Sequence, residues 1–271
     1  MFDFQSYVQR RQASPSRAPV RIQNYAYIED IEHLRQIADS DVIRQAVSIG
    51  LQAWQFASRR SLKNKSKIVD ESFERITKAW VETCFLFNHQ ALTLKFVSTQ
   101  TTLFEPYGDN DGVFFGLSNQ ATTLPSGALK FLFGRGIGAL DNGHVPQLTL
   151  QRFFDDITRG LWDMAAQIPD ALIHWRRSAE ITEDRAGLLA CRDMSSAIMA
   201  IMRSQLDWDN PEIMREIRRY HENLDVDWGT SDIEKRVKAL EIFMKSNIYL
   251  RSGGLPMSEI DKQVGQLFGI F

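Results

Sequence analysis

Glu180 and Asp184 stand four residues apart in the stretch Ala179-Glu180-Ile181-Thr182-Glu183-Asp184-Arg185-Ala186-Gly187-Leu188-Leu189-Ala190-Cys191, so on a helix they share one face. Glu183 adjoins Asp184 and is expected to point elsewhere. The small residues after Arg185 read as a tightly packed core face, and acids beside such a face are costly unless something positive meets them. A buried charge cluster of this kind is a candidate for binding and polarising a small anion or a peptide. An acidic pair in a surface salt bridge fits the same spacing, which alone does not choose between them.

Gly134-Arg135-Gly136-Ile137-Gly138 is the second cluster of interest. It fits neither the dinucleotide fingerprint nor the P-loop pattern. It follows the helical apolar run Ala128 to Phe133 rather than a strand, so phosphate binding is a weak reading. His144, His174 and Cys191 are the groups that could join Glu180 at a metal, but His174 falls off its helical face, and a lone histidine near a core helix is more often a packing residue. His33, His89 and His221 sit among polar or helix-edge residues. No Ser-His-Asp or Cys-His spacing stands out.

The elements that must position these residues follow from periodicity. Helical stripes cover Ile31, Leu34 and Ile37, then Val42 to Trp54, then about Val69 to Phe87 with Phe73, Ile76, Trp80, Cys84 and Phe87 inward. Leu92, Leu94 and Phe96 alternate as in a strand, and after the turn-rich EPYGDNDG comes a second strand candidate, VFFGLS. Helices resume at Ser126 to about Leu140, Gln147 to Ala166 (Phe153, Phe154, Leu161 and Met164 on one face), His174 to Cys191, Ser195 to Gln205, Pro211 to Tyr220, Ile233 to Ser246, and Ser258 to Leu267. Residues 1–25, with two prolines and four arginines, read as an extended arm. The basic connector RRSLKNKSK reads as a solvated turn. No linker separates a second domain, so 26–271 reads as one domain.

Composition sets outer bounds. The 271 residues carry 32 Lys and Arg against 34 Asp and Glu, a net charge of −2, with 44% apolar residues. That excludes wholesale disorder and argues against a dedicated nucleic-acid binder. A chain this long buries roughly 75% of its unfolded surface without help from disulfides or metals. Two cysteines suit a reducing compartment; no apolar run approaches the roughly 20 residues of a membrane span, and the first residues lack a secretory h-region. A cytoplasmic protein is expected.

EITEDRAGLLACRD, from Glu180 to Asp193, resembles the segment carrying the third zinc ligand in the HtpX/CAAX-prenyl-protease superfamily of zinc metallopeptidases. There a Glu-x-x-x-Asp-Arg-Ala stretch follows an upstream HExxH helix. FLFGRGIGALDNGHV is similar to that upstream frame, with Phe131, Gly134, Gly138, Gly143 and His144 in register. IEKRVKALEIF resembles the family's closing helix, and the resemblance covers roughly residues 90–246. It implies a mainly α fold with a small β-sheet or β-ribbon (α+β), gluzincin-like and single-domain.

The chain departs from the family at its metal. Arg135 stands at the first histidine position, Gly136 at the general base and Ala139 at the second histidine, and the His-Pro pair before the last helix is replaced by Gly229-Thr230-Ser231-Asp232. Of the ligands only Glu180 remains, with Asp184 as its former supporting partner. One carboxylate cannot hold a hydrolytic zinc, and a glycine cannot take a proton from water. No metal, no cofactor and no catalytic residue is therefore expected. Arg135 is expected to reach Asp184, Glu180 or both in place of the ion; the alternative is an ordinary helix-surface arginine.

The resulting expectation is an inactive metallopeptidase homologue that binds a peptide or protein along an edge strand, Val113-Phe114-Phe115-Gly116-Leu117. Its partner could be an active paralogue or a second copy, with the aromatic N-terminal arm and the apolar end Leu267 to Phe271 as docking elements. The alternative is an enzyme of altered chemistry using the Arg135, Glu180 and Asp184 cluster. A nucleic-acid or membrane-surface module ranks last.

Overall fold

The structure is a computed structural model that describes residues 24–55, 67–68, 73–90, 92–97, 103–109, 112–157, 168–206, 210–251 and 253–269. The arm up to residue 23, connector residues 59–66, Leu161, Met164, Ile270 and Phe271 lie outside the described residues.

The described chain is mainly helical with one small sheet, an α+β arrangement. Its helices are α1 (Ile28–Asp39), α2 (Asp41–Trp54), α3 (Glu74–Leu86), α4 (Ser126–Asp141), α5 (Val145–Ile157), α6 (Ile168–Cys191), α7 (Met194–Gln205), α8 (Asn210–His221), α9 (Ser231–Met244), α10 (Asn247–Leu250) and α11 (Met257–Phe268). Local signals set several of their ends. Ser40, Asp193, Thr230 and Ser246 each accept a backbone N–H of the first turn of the helix that follows, satisfying a donor that the helix itself leaves unpaired. Gly269 ends α11 in the left-handed region at φ 73°, where a residue without Cβ is unstrained.

α4 and α6 form the spine. The glycine cluster lies inside α4, and its use is close approach. A Cβ at Gly134 would fall 2.6 Å from the Ala190 Cβ, and one at Gly138 would fall 2.6 Å from that of Ala186. From the other side, Gly187 gives the same clearance to the Phe131 ring. Small residues on both helices bring the two backbones together, so what is carried on this crossing is held rigidly. The apolar core spreads from it through Phe131, Phe133, Leu188, Leu189, Ile198 and Ile201, all within 1% of full burial.

Four strands, β1 (Lys67–Ile68), β2 (Leu94–Phe96), β3 (Phe104–Asp109) and β4 (Gly112–Leu117), run in the order β1-β2-β4-β3. β2 and β4 are parallel, and the other pairs are antiparallel. This corrects the expected edge strand. Val113, Phe114, Phe115, Gly116 and Leu117 lie in β4, which is paired on both sides; the outer strands are β1 and β3, the latter in the stretch read as a turn. Pro106 and Gly108 hid it. Proline is tolerated on an edge because its missing donor faces away from the ladder, and Gly108 is small because Val145 and Val113 crowd its Cα.

Three other expectations need adjustment. Tyr25 reads by sequence as the end of the arm, yet it is fully buried, edge-on to Phe87, with its hydroxyl accepting from Asn142 Nδ2. Phe73, expected inward, is 42% exposed because it precedes the first turn of α3. Leu267 and Phe268 pack beside Tyr27, Ile181, Ala239 and Val264, so this part of the C-terminal segment covers the chain's own body.

A candidate charged pocket between α4, α6, α9 and β3

Arg135 sits on α4, and Arg176, Glu180, Glu183 and Asp184 sit on α6, at spacings that all fall on one helical face. α9 adds Arg236. This residue occupies a place in the apolar stripe of Ile233, Val237 and Leu240, and is itself only 3% exposed. Asp184 is the best-held acid. It accepts two hydrogen bonds from Arg236, Nε to Oδ2 and Nη2 to Oδ1, both at 2.7 Å, and Arg135 Nε lies 2.9 Å from Oδ1. The Arg236 fork matches the carboxylate bidentately, the strongest form of this contact.

Glu183 is the hub. Its Oε2 accepts from Arg135 Nη2 at 3.1 Å, and its Oε1 accepts from Arg176 Nη1 at 2.8 Å and faces His144 Nδ1 at 3.3 Å. The other nitrogen of His144, Nε2, lies 2.9 Å from Asp30 Oδ2, and Asp30 Oδ1 accepts from Trp175 Nε1. Both imidazole nitrogens of the fully buried His144 thus face carboxylates, an arrangement that suits a doubly donating imidazolium. Burial alone would lower the pKa of His144, but the hydrogen bonds and charges of Asp30 and Glu183 raise it to about 9. Burial would likewise raise Glu183. The Arg176 charge, the His144 hydrogen bond and the Arg135 charge outweigh it and hold the carboxyl far below its ordinary value. Glu180 is also lowered against its burial, chiefly by Arg176, which lies 3.3 Å away one turn earlier.

With His144 protonated, Asp30, Glu180, Glu183 and Asp184 are matched one for one by Arg135, Arg176, Arg236 and His144. Such balance is what makes burial of so many charges tolerable.

Over this network lies a cavity of about 160 Å³, whose wall includes Arg135, Gly136, Ala139, Arg176, Glu180, Glu183 and Arg236, with Phe104, Glu105 and Pro106 of β3 opposite. The positions singled out by sequence therefore meet. Arg135 reaches Asp184 as expected, though its second partner is Glu183, while Glu180 goes to Arg176. Glu183 does not point elsewhere: residues three and four apart flank one face, and Glu183 stands three after Glu180. Sequence reasoning missed Arg176, Glu183, Arg236, His144 and Asp30 as members of the network. The visible signals were the i,i+4 spacing of Arg176 and Glu180, and an arginine placed within the apolar stripe of α9.

The donor set does not fit zinc. Glu180 is the one ligand-type side chain at the three positions that the resemblance would give to metal ligands, both oxygens of Glu183 are engaged by cations, and among the described residues no group of three His, Cys, Asp or Glu side chains could hold a metal ion. At Gly136, which the resemblance would align with a general base, a Cβ would lie 2.3 Å from Phe104 Cε1. That ring is fixed by Trp80, Phe115 and Phe133, so the space for a longer side chain is filled. The chain matches no protein-family model, no curated protein and no solved structure.

Proposed function

We propose that this chain is a metallopeptidase-like scaffold without a working metal site, acting as a peptide- or protein-binding subunit. One observation carries the reading. A guanidinium, Arg135, takes up Asp184 and Glu183 at the position that the resemblance gives to the first zinc ligand, while an edge strand lies along the same cavity. β3 rather than β4 is the strand for peptide pairing. Phe104 faces Leu117, and Leu117 turns its carbonyl to Val97 on the other side. By the alternation of an antiparallel ladder, the backbone N–H and C=O of Phe104 face away from β4. The usable edge is short, because Gly108 already donates to Thr149 Oγ1 of α5.

The alternative, an enzyme of altered chemistry at Arg135, Glu180 and Asp184, has less support. Glu180 and Glu183 are held ionised below the ordinary carboxylate range, which makes them weak bases. An active paralogue or a second copy remains part of the proposal as partner. The N-terminal arm and Ile270-Phe271 are the docking elements left to it, since Leu267 and Phe268 are used internally. Among the described residues no helix is long and apolar enough to cross a membrane, and Cys84 and Cys191 are both unpaired, in keeping with a cytoplasmic setting.

The test is metal analysis and a peptidase assay on the purified full chain, with co-purification from native cells. The expected result is no stoichiometric zinc, no peptide turnover, and a retained peptide or protein partner. Stoichiometric zinc together with turnover would overturn the proposal. Restoring the family residues by Arg135→His, Gly136→Glu and Ala139→His is expected to fail at Phe104 unless Phe104→Ala is added.

A further inference from the structure

The cavity wall is balanced in charge but rich in donors. Arg135, Arg176 and Arg236 are met by Glu180, Glu183 and the Asp184 behind them, three cations against three anions. Asp30 likewise balances the protonated His144, so an arriving anion meets no net positive field. A guanidinium carries five N–H donors and no acceptor; Arg176 and Arg236 each commit two nitrogens to carboxylates, while Arg135 commits Nη2 and its Nε lies 2.9 Å from Asp184 without a hydrogen bond in line. Arg135 Nη1, Arg176 Nε and Arg236 Nη1 have no acceptor among the described residues. Arg236 is 3% exposed, so its spare donor can be met only from the cavity.

We propose that the pocket selects an uncharged, extended peptide segment whose carbonyl oxygens accept from these spare guanidinium donors, and that it discriminates against carboxylate and phosphate ligands. This rests on the peptide-binding reading and adds the class of ligand to it. Carbonyl oxygens supply acceptors without adding charge to a wall already neutral. The outward N–H and C=O of Phe104 supply the complementary backbone pair, which a small anion could not use. An arginine-lined pocket would ordinarily suggest an anion site; here the interleaved carboxylates reverse that preference.

The experiment titrates the full chain, labelled with 15N-arginine, with three probes: an acetyl- and amide-capped pentapeptide of alternating Val and Ser, the same peptide with its central residue replaced by Asp, and inorganic phosphate. The Nε–Hε signal of Arg176 and the Nη–Hη signals of Arg135 and Arg236 are read, with Arg176→Lys serving to assign the first. The expected result is saturable movement of these signals by the neutral peptide, at a Kd at least tenfold below that of the Asp peptide, and no saturation by phosphate. Tighter binding of phosphate or of the Asp peptide overturns the inference. Binding of the neutral peptide that moves backbone signals elsewhere, with the three arginines unmoved, also overturns it and leaves the proposed function standing. No binding by any probe, with partner capture also negative, removes both.

Discussion

Asp184 and Arg185 are neighbours on α6, yet they enter two buried ion clusters of opposite quality. On one side Asp184 receives the full fork of Arg236 inside a network where each charge has a counterpart, and only Arg135 Nε, 2.9 Å away, is out of line. On the other, Arg185 lies 2.8 Å from Asp261, but its Nε and Nη2 make no hydrogen bond in line, and Asp261 Oδ1 has none either. What surrounds Arg185 is the carbonyl of Tyr25 and the rings of Tyr27 and Phe243. Desolvation governs this second pair, lowering the pKa of Arg185 and raising that of Asp261. In the first cluster the partners' charges outweigh it for Glu180, Glu183, Arg176 and Arg236. The contrast shows that burial of charge is tolerated here by number and alignment of partners, and the well-aligned cluster is the one that lines a cavity.

The largest break should come from Asp184→Ala. It strands Arg236 and half of Arg135 in the interior, and removal of one member of a buried pair costs about 3–5 kcal/mol. Urea unfolding monitored by tryptophan fluorescence reads it directly. Pairing Asp184→Leu with Arg236→Met should recover most of that loss, because the stranded charge goes with its partner. If the single and double variants proved equally unstable, the ion pairing would not be what matters there.

A smaller effect should appear with pH: a few kcal/mol, since each tenfold change in an acid dissociation constant on folding is worth about 1.4 kcal/mol. The pKa of His144 is raised to about 9 in the folded chain from an ordinary 6.5. Its contribution is then complete below about pH 6.5 and is lost as pH rises through about 9. Glu183 works at the other end: its lowered pKa stabilises the fold above the ordinary carboxylate range, and that stability fades on acidification. Asp261, shifted upward, has the reverse sense and is relieved by acid. His144→Asn should therefore flatten the stability profile between pH 6.5 and 9 while leaving the acid limb in place.

Smaller still is the response of the second cluster. Exchanging Arg185 for Met and Asp261 for Leu together should change stability by no more than about 1 kcal/mol, or raise it, since replacing a poorly aligned buried pair with apolar groups is often neutral or stabilising. Thermal unfolding of the double variant sharpens the comparison. A loss matching that of Asp184→Ala would show the two clusters to be equivalent after all.

How much of this could be read beforehand follows the same division between local and non-local information. The α4 helix was legible because Ala128 to Phe133 is a helical run closed by Asp141-Asn142-Gly143, and the meeting of Arg135 with Asp184 was expected from a resemblance of the two segments. β3 was not, because Pro106 and Gly108 are poor strand residues whose fitness depends on an edge and on Val145, neither visible locally. The hub role of Glu183 was hidden for a different reason: which acid an arginine chooses depends on the crossing of α4 over α6, and that crossing is set by Gly134 and Gly138 against Ala186 and Ala190. Arg236 and Asp30 come from elements 52 and 114 residues away from their partners, separations over which no spacing rule operates.

Glu180 gives the smallest expected effect and the most pointed one, because it is the single zinc-ligand type that the resemblance carries over unchanged. Its side chain is 22% exposed and meets Arg176 at 3.3 Å across one helical turn, the kind of pair worth about 0.3–0.5 kcal/mol. Glu180→Gln should therefore cost no more than roughly 0.5 kcal/mol, since Arg176 keeps its contact with Glu183. Were Glu180 still a metal ligand, the same change would instead lower thermal stability in a zinc-dependent way. Melting curves of the wild type and Glu180→Gln, each with and without a chelator, are expected to coincide within that margin. The residue that a zinc enzyme needs most is here the acid that the network holds least firmly.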